Sequence, residues 1–315
     1  MHTAIPLTVL ATALVCSLPT TPANARARVF VASYGNDANP CTFGSPCKTF
    51  QQAVNVVDPG GEVTAIDSAG FGPITITQAV TITSPDGVEA GIVPAAGGNA
   101  ITINAGPTDA VVLRGLTLNG SGIALNGVVF DSGASLTVTN CVVQNFIHDL
   151  ISPRSGNGIL IQPTSGTVKF EITSTIVSNN GSNGIYYFPG SSAGASGVVD
   201  HVTATNNSNG VEFLTVNTPY GTTIVVSNSV ASNNSSTGVF ISGGGAGPLL
   251  VAIDNTEINN NGTGIFAESA AVELGRSVLI FNGTPIQDNT AGNFFSFKNN
   301  QIGTTVSALS PLGLQ

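Results

Sequence analysis

Charged side chains make up 8% of this 315-residue chain, against about a quarter in an ordinary globular protein. The few that cluster therefore stand out. His148, Asp149 and Arg154 fall within seven positions, and Tyr186 and Glu212 follow on later segments. A carboxyl group that gives or takes a proton, with a guanidinium to hold developing negative charge, is a minimal set for acid–base chemistry. Asp149, Arg154 and Glu212 are thus the candidate catalytic residues, with Tyr186 as a stacking subsite. No group of ligands has the spacing of a metal site, and no cofactor is expected.

A repeat positions these residues. Asn179, Asn206, Asn233 and Asn260 stand 27 residues apart, with Asn145 a further 34 upstream. A second marker, Gly158, Gly184, Gly210, Gly238 and Gly264, recurs at steps of 26, 26, 28 and 26. Fixed periods of this length signal a solenoid or a propeller. Within each unit the apolar residues alternate with period two, as in Gly184 to Phe188 and Gly238 to Ile241, so the units are strands. Three short strands at about 3.3 Å per residue use up one unit. The economical solution is all-β: a right-handed parallel β-helix, each strand pairing with its copy one period later. The marker asparagines then stack amide on amide, and the marker glycines are expected to supply positive φ.

The same alternation sorts the strand after each marker glycine. Ile159, Ile161, Ile185, Tyr187, Val211, Phe213, Val239, Ile241, Ile265 and Ala267 point inward. Leu160, Tyr186, Glu212, Phe240 and Phe266 form an outward row, flanked by Gln162, Phe188, Leu214, Ser242 and Glu268. Exposed apolar strips mark ligand or partner surfaces, so Leu160, Tyr186, Phe240 and Phe266 are candidate ligand-binding residues. The competing reading is that the tail or a loop covers the row. Asp200 and Asp254 lie two coils apart, about 9.6 Å, within reach of the carboxylate spacing of inverting glycosidases. Yet His201 falls on a corner position shared with Asn140, Ser174, Asn228 and Asn255, which reads as a hydrogen-bonded structural histidine.

The phrase VVSNSVASNN followed by TGVFI, and the N-terminal phrase VFVASYGNDANPCTFGSPCKTFQQAVN, resemble the right-handed parallel β-helix proteins of the pectin lyase-like superfamily. The N-terminal phrase is similar to the opening and helical cap of secreted bacterial members. The resemblance covers residues 29–303 and implies the fold. It leaves function open, because the superfamily holds lyases, hydrolases, epimerases and catalytically silent proteins. The polygalacturonase-like Asn-Thr-Asp, Asp-Asp, His-Gly and Arg-Ile-Lys series is missing. So are the calcium-site Asp cluster with downstream Arg of pectate lyases and the Asp-Pro-His of alginate epimerases.

Ile5 to Leu18 is a short apolar run followed by Ala23-Asn24-Ala25, the pattern of a signal peptide cleaved after Ala25. Residues 1–25 are therefore read as a signal peptide, 26–61 as an N-terminal loop and capping helix, 62–303 as the β-helix and 304–315 as a tail. Secreted or periplasmic location follows, with no membrane span. In an exported protein the close pair Cys41 and Cys47 reads as a disulfide, and Cys141, at the small inward position shared with Thr175, Val202, Ser229 and Thr256, as a buried thiol. Phe50, Ala53, Val54 and Val57 fall at helical spacing, an amphipathic helix that covers the open end of the solenoid. A net charge of −9 with no basic patch argues against nucleic acid. Two functions remain: a noncatalytic protein that recognises a polysaccharide or a surface protein through the outward row, and a divergent polysaccharide lyase or glycoside hydrolase acting at the 146–157 loop.

Overall fold

The computed structural model describes residues 26–303 and 310–311. The expected signal peptide, residues 1–25, and most of the tail lie outside the described residues. Each repeat lays down three strands, one in each of three parallel sheets of twelve, nine and ten strands. One coil runs through Ser165–Thr173, Ile176–Ser178 and Asn183–Tyr187. Its strands pair in parallel with Ser192–Asp200, Thr203–Thr205 and Asn209–Val216 of the next. The fold is the expected parallel β-solenoid, with a core of inward side chains running its whole length. All ten residues assigned inward after the marker glycines are buried.

The corners correct the expected roles of the two markers. Asn179, Asn206, Asn233 and Asn260 each adopt φ +57°, the left-handed region that asparagine tolerates. The buried ladder is built one residue later. Asn180 Nδ2 donates to Asn207 Oδ1 at 3.0 Å, Asn234 to Asn261 at 3.0 Å and Asn261 to Asn282 at 3.0 Å. Each of these oxygens also accepts the backbone N–H of the preceding rung, as Asn261 Oδ1 does from Asn234 at 3.0 Å. A second ladder, Asn126, Asn157, Asn183 and Asn209, runs beside it with rungs of 3.0–3.1 Å.

The marker glycines have no positive φ; they are glycine for want of space. A Cβ on Gly210 would lie 2.6 Å from Gly238 O and 2.9 Å from Asn234 Nδ2, and one on Gly184 2.5 Å from Gly210 O. Asparagine therefore takes the strained backbone, and glycine lets the next coil approach. The corner before the ten-strand sheet is left-handed too, at Asn140, Ser174, His201, Asn228, Asn255 and Arg276.

At the N-terminal end the helix Phe50–Val56 starts at Thr49, whose hydroxyl accepts from the Gln52 N–H at 3.2 Å. Its C-terminal carbonyls on Val54 and Val57 accept from the Gln78 amide at 3.1 and 3.0 Å. Phe50, Ala53 and Val54 are buried, so the helix seals the first coil. That coil begins earlier than the strand pattern suggests, because Arg28–Val31 already pairs with Gly61–Ala65. Cys41 and Cys47 form the expected disulfide, which by loop entropy contributes about 2 kcal/mol. Cys141 is buried, and burial pushes its thiol up to about 11.

Two stability measurements follow. Asn234→Leu should cost about 2–4 kcal/mol in denaturant unfolding, since it strips partners from Asn207, Asn261 and the Ala204 carbonyl, whereas Asn233→Gly should cost under about 1 kcal/mol. Gly210→Ala should cost about 1–3 kcal/mol by overpacking, while Gly70→Ala, where a Cβ meets nothing within 4 Å, should change stability by less than about 0.5 kcal/mol.

Candidate functional site

The outward row lies on the nine-strand sheet in unbroken register. Leu160 pairs with Tyr186, Tyr186 with Glu212, Glu212 with Phe240 and Phe240 with Phe266. Exposure divides it. Leu160 is 1% exposed and belongs to the interior of this face, whereas Tyr186, Glu212, Phe240 and Phe266 are half-buried. The tail does not reach this row through its described strand: Ser310–Pro311 pairs with Phe295 and Ser296 on the twelve-strand sheet.

Register also fixes how the rings are presented. Phe240 and Phe266 stack with centroids 4.7 Å apart and planes 8° from parallel, so the strand spacing itself presses the two faces together. Tyr186 packs against Phe188 at 5.6 Å, and Arg154 lies over the Phe188 ring, 4.3 Å from its centroid. The row thus offers solvent mainly ring edges. The expectation of free aromatic faces for sugar stacking does not fit this packing.

The 146–157 loop is held by its own side chains. Asp149 Oδ1 accepts from the Ile151 N–H at 3.0 Å, and the Ser155 hydroxyl accepts from the Asp149 N–H at 2.7 Å and donates to Ser152 O at 2.6 Å. Asp149 therefore serves the turn. Arg154 reaches the row instead, donating to Gln162 Oε1 at 2.8 Å, and Gln162 passes on to Asp131 at 2.8 Å. Asn157, a rung of the second ladder, fixes the Arg154 carbonyl at 3.1 Å.

Glu212 is tied to that ladder as well, since Asn209 Nδ2 donates to it at 3.0 Å and to Asn183 Oδ1 at 3.0 Å. Burial holds the Glu212 carboxyl above the ordinary glutamate value, against the opposing pull of Asn209 and Asn183. Burial, reinforced by Glu212 and opposed by Arg154, also pushes the Tyr186 phenol well above its usual range. Arg154, Tyr186 and Glu212 thus share one electrostatic neighbourhood, and Asp149 stands apart from it.

The second constellation is structural. Asp200 accepts from the Ser227 hydroxyl at 2.6 Å, from Asn228 at 2.7 Å and pairs with His201 Nδ1 at 2.6 Å. Asp254 pairs with Arg276, whose Nε lies 2.9 Å away. These donors, Ser227 foremost for Asp200 and Arg276 for Asp254, hold both carboxyls below the ordinary range. Both carboxyls are thus engaged with side chains of the next coil. Among the described residues no group of three or more His, Cys, Asp and Glu is placed to hold a metal ion, and no helix is long and apolar enough to cross a membrane.

Comparison with known proteins agrees with this geometry. The family described as "Right handed beta helix region" matches residues 99–302. The chain belongs to the right-handed β-helix family. A pectate lyase, Pel9A, superposes with a TM-score of 0.54 at 15% identity, covering 89% of this chain and 81% of that one. A rhamnogalacturonan lyase gives 0.48 at 13% identity, over 80% and 74% of the two chains. The A-module of the Azotobacter vinelandii mannuronan C-5 epimerase AlgE4 gives 0.47 at 19%, over 77% and 70%. At these identities the likeness is one of fold. A search of curated proteins finds no match.

A pH test follows from Glu212. Its folded value is raised, so the folded chain binds the proton more tightly, and the cost of burying the charge develops as pH rises through that value. Glu212→Gln, which keeps an acceptor for Asn209, should raise the melting temperature at pH 7 and leave it unchanged near pH 3.5, below the ordinary value of 4.5.

Proposed function

We propose that this chain is an exported, noncatalytic β-helix protein that recognises a neutral or weakly charged polysaccharide along its nine-strand sheet. The observation that carries this reading is the half-exposed, in-register row Tyr186, Glu212, Phe240 and Phe266. A linear polymer laid along the solenoid meets apolar rings on the coils of Tyr186, Phe240 and Phe266 and the Glu212 carboxyl on the coil between, with Arg154, Gln162 and Glu268 as polar flank. The net charge of −9 disfavours a polyanion. A pectate lyase shares the fold, which makes polysaccharides the first class to test.

Hydrolysis of the usual kind is disfavoured, because it needs two carboxyl groups across the scissile bond. The row supplies Glu212 alone, and Asp149 is engaged in its turn. Export is supported by the leader-like segment and by the Cys41–Cys47 disulfide.

The test is a glycan array followed by calorimetry on the best neutral polymer. Binding should be insensitive to salt and should weaken about five- to tenfold, roughly 1–1.4 kcal/mol, in Phe240→Ala and in Tyr186→Ala, with the fold retained. Release of reducing ends or unsaturated products from the bound polymer would show an enzyme instead. Loss of 3–5 kcal/mol of stability in Phe240→Ala would make the row core.

A further inference from the structure

The twelve-strand sheet carries a second apolar surface, and the nine-strand row has no part in it. A furrow of about 260 Å³ runs along its outer face, floored by Val198, Val225, Leu250, Ala252 and Phe295. Val198 is 38% exposed, Val225 42% and Leu250 43%, more than any large aliphatic side chain of the nine-strand row. Three such residues side by side on a regular sheet are costly to leave in water.

Register arranges this face in two columns, two residues apart on each strand and so about 6.6 Å apart. The first column reads Lys169, Ser196, Thr223, Leu250 and Ala271, and the second Glu171, Val198, Val225, Ala252 and Glu273. A second copy of the chain can be set face to face on it in two ways that close with two-fold symmetry. With the axis across the solenoid each column meets itself reversed, and Glu171 faces Glu273 of the second copy, a like-charge contact.

With the axis along the solenoid, midway between the columns, every strand stays level with its own copy and the columns exchange. Lys169 then meets Glu171 of the second copy and Glu171 meets its Lys169, two reciprocal ion pairs from one strand. Leu250 meets Ala252, large against small, and Thr223 and Ser196 cover Val225 and Val198. Glu273 meets the uncharged Ala271 of the second copy, so no like charges oppose one another in this arrangement. Lys169 and Glu171 form no ion pair with each other, and their neighbours on the adjoining strands, Ser135, Thr137, Ser196 and Val198, are uncharged.

We infer that the furrow is an interface between two copies of this chain, packed side by side with parallel solenoid axes and Lys169 paired to Glu171 across the two-fold. The arrangement leaves both nine-strand rows outside the contact.

Sedimentation of the full chain between about 1 and 100 µM, the range in which an interface of modest size dissociates, tests it. The expected result is a monomer–dimer equilibrium. Val225→Asp, at a surface position, should leave a folded monomer whose melting temperature does not change with concentration, whereas that of the parent rises as the dimer forms. Lys169→Glu should weaken the dimer at least about tenfold, and the double variant Lys169→Glu/Glu171→Lys should restore it to within about threefold, because the swap recreates the same reciprocal pairs. A monomer at every concentration overturns the inference. So does a dimer that survives Val225→Asp, or a double variant no better than Lys169→Glu. A monomeric parent whose Val225→Asp variant loses stability would show that the chain's own tail, whose Ser310–Pro311 strand pairs beside Phe295, fills the furrow.

Discussion

Everything in this molecule depends on consecutive coils holding a single register. A parallel sheet slipped by one residue would turn every inward side chain to solvent, which the core itself forbids; a slip of two keeps the faces, and the apolar sides of the core are too alike from coil to coil to forbid that alone. The two buried amide ladders forbid it. Each rung of the first ladder satisfies a side-chain oxygen with both an amide and a backbone donor, as Asn234 does for Asn261 Oδ1, and a slip would strand several buried polar groups at about 1–3 kcal/mol each. The ladder can sit that deep only because Gly184, Gly210 and Gly238 leave room for it. Asn206 and Asn233 take the left-handed turn just before it. Two adjacent asparagines with a glycine a few residues on thus form one device, the first bending the chain and the second locking it.

That division of labour explains what could and could not be read from the sequence. The period, the alternation and the capping helix were legible because they are patterns of residue type. The assignment of positive φ to Gly158, Gly184, Gly210, Gly238 and Gly264 failed because glycine serves two needs, a left-handed backbone and a missing Cβ. A repeat count does not separate them. Placing the ladder on Asn206 instead of Asn207 failed similarly, since adjacent asparagines are interchangeable until the corner geometry is known.

The site was half legible. Period two placed Tyr186, Glu212, Phe240 and Phe266 outward in register, but alternation says nothing of how deep a side chain lies, and Leu160 is buried. It is equally blind to what a loop does with its own charges: Asp149 and Arg154 are five residues apart, one spent on a turn and the other on Gln162 and Phe188. The furrow on the twelve-strand sheet went unread because Val198 and Val225 look, one strand at a time, like ordinary β-formers.

The same coil spacing that builds the fold limits what its surfaces can recognise. Identical aromatic residues one coil apart are brought into a stacked pair, as Phe240 and Phe266 are at 4.7 Å, because the strand separation falls at the centroid distance of offset-stacked rings. The faces are then spent within the protein, and a ligand meets edges. An acidic residue set into such a row breaks the stack: Glu212 separates Tyr186 from Phe240, and Asn209 holds it there as the last amide of the second ladder. The row is therefore two apolar patches with a carboxyl between them, its position set by the same amides that fix the coil register. A ligand bound there in the proposed way would meet shape and apolar area, with the one charge in the row fixed by the ladder beneath it.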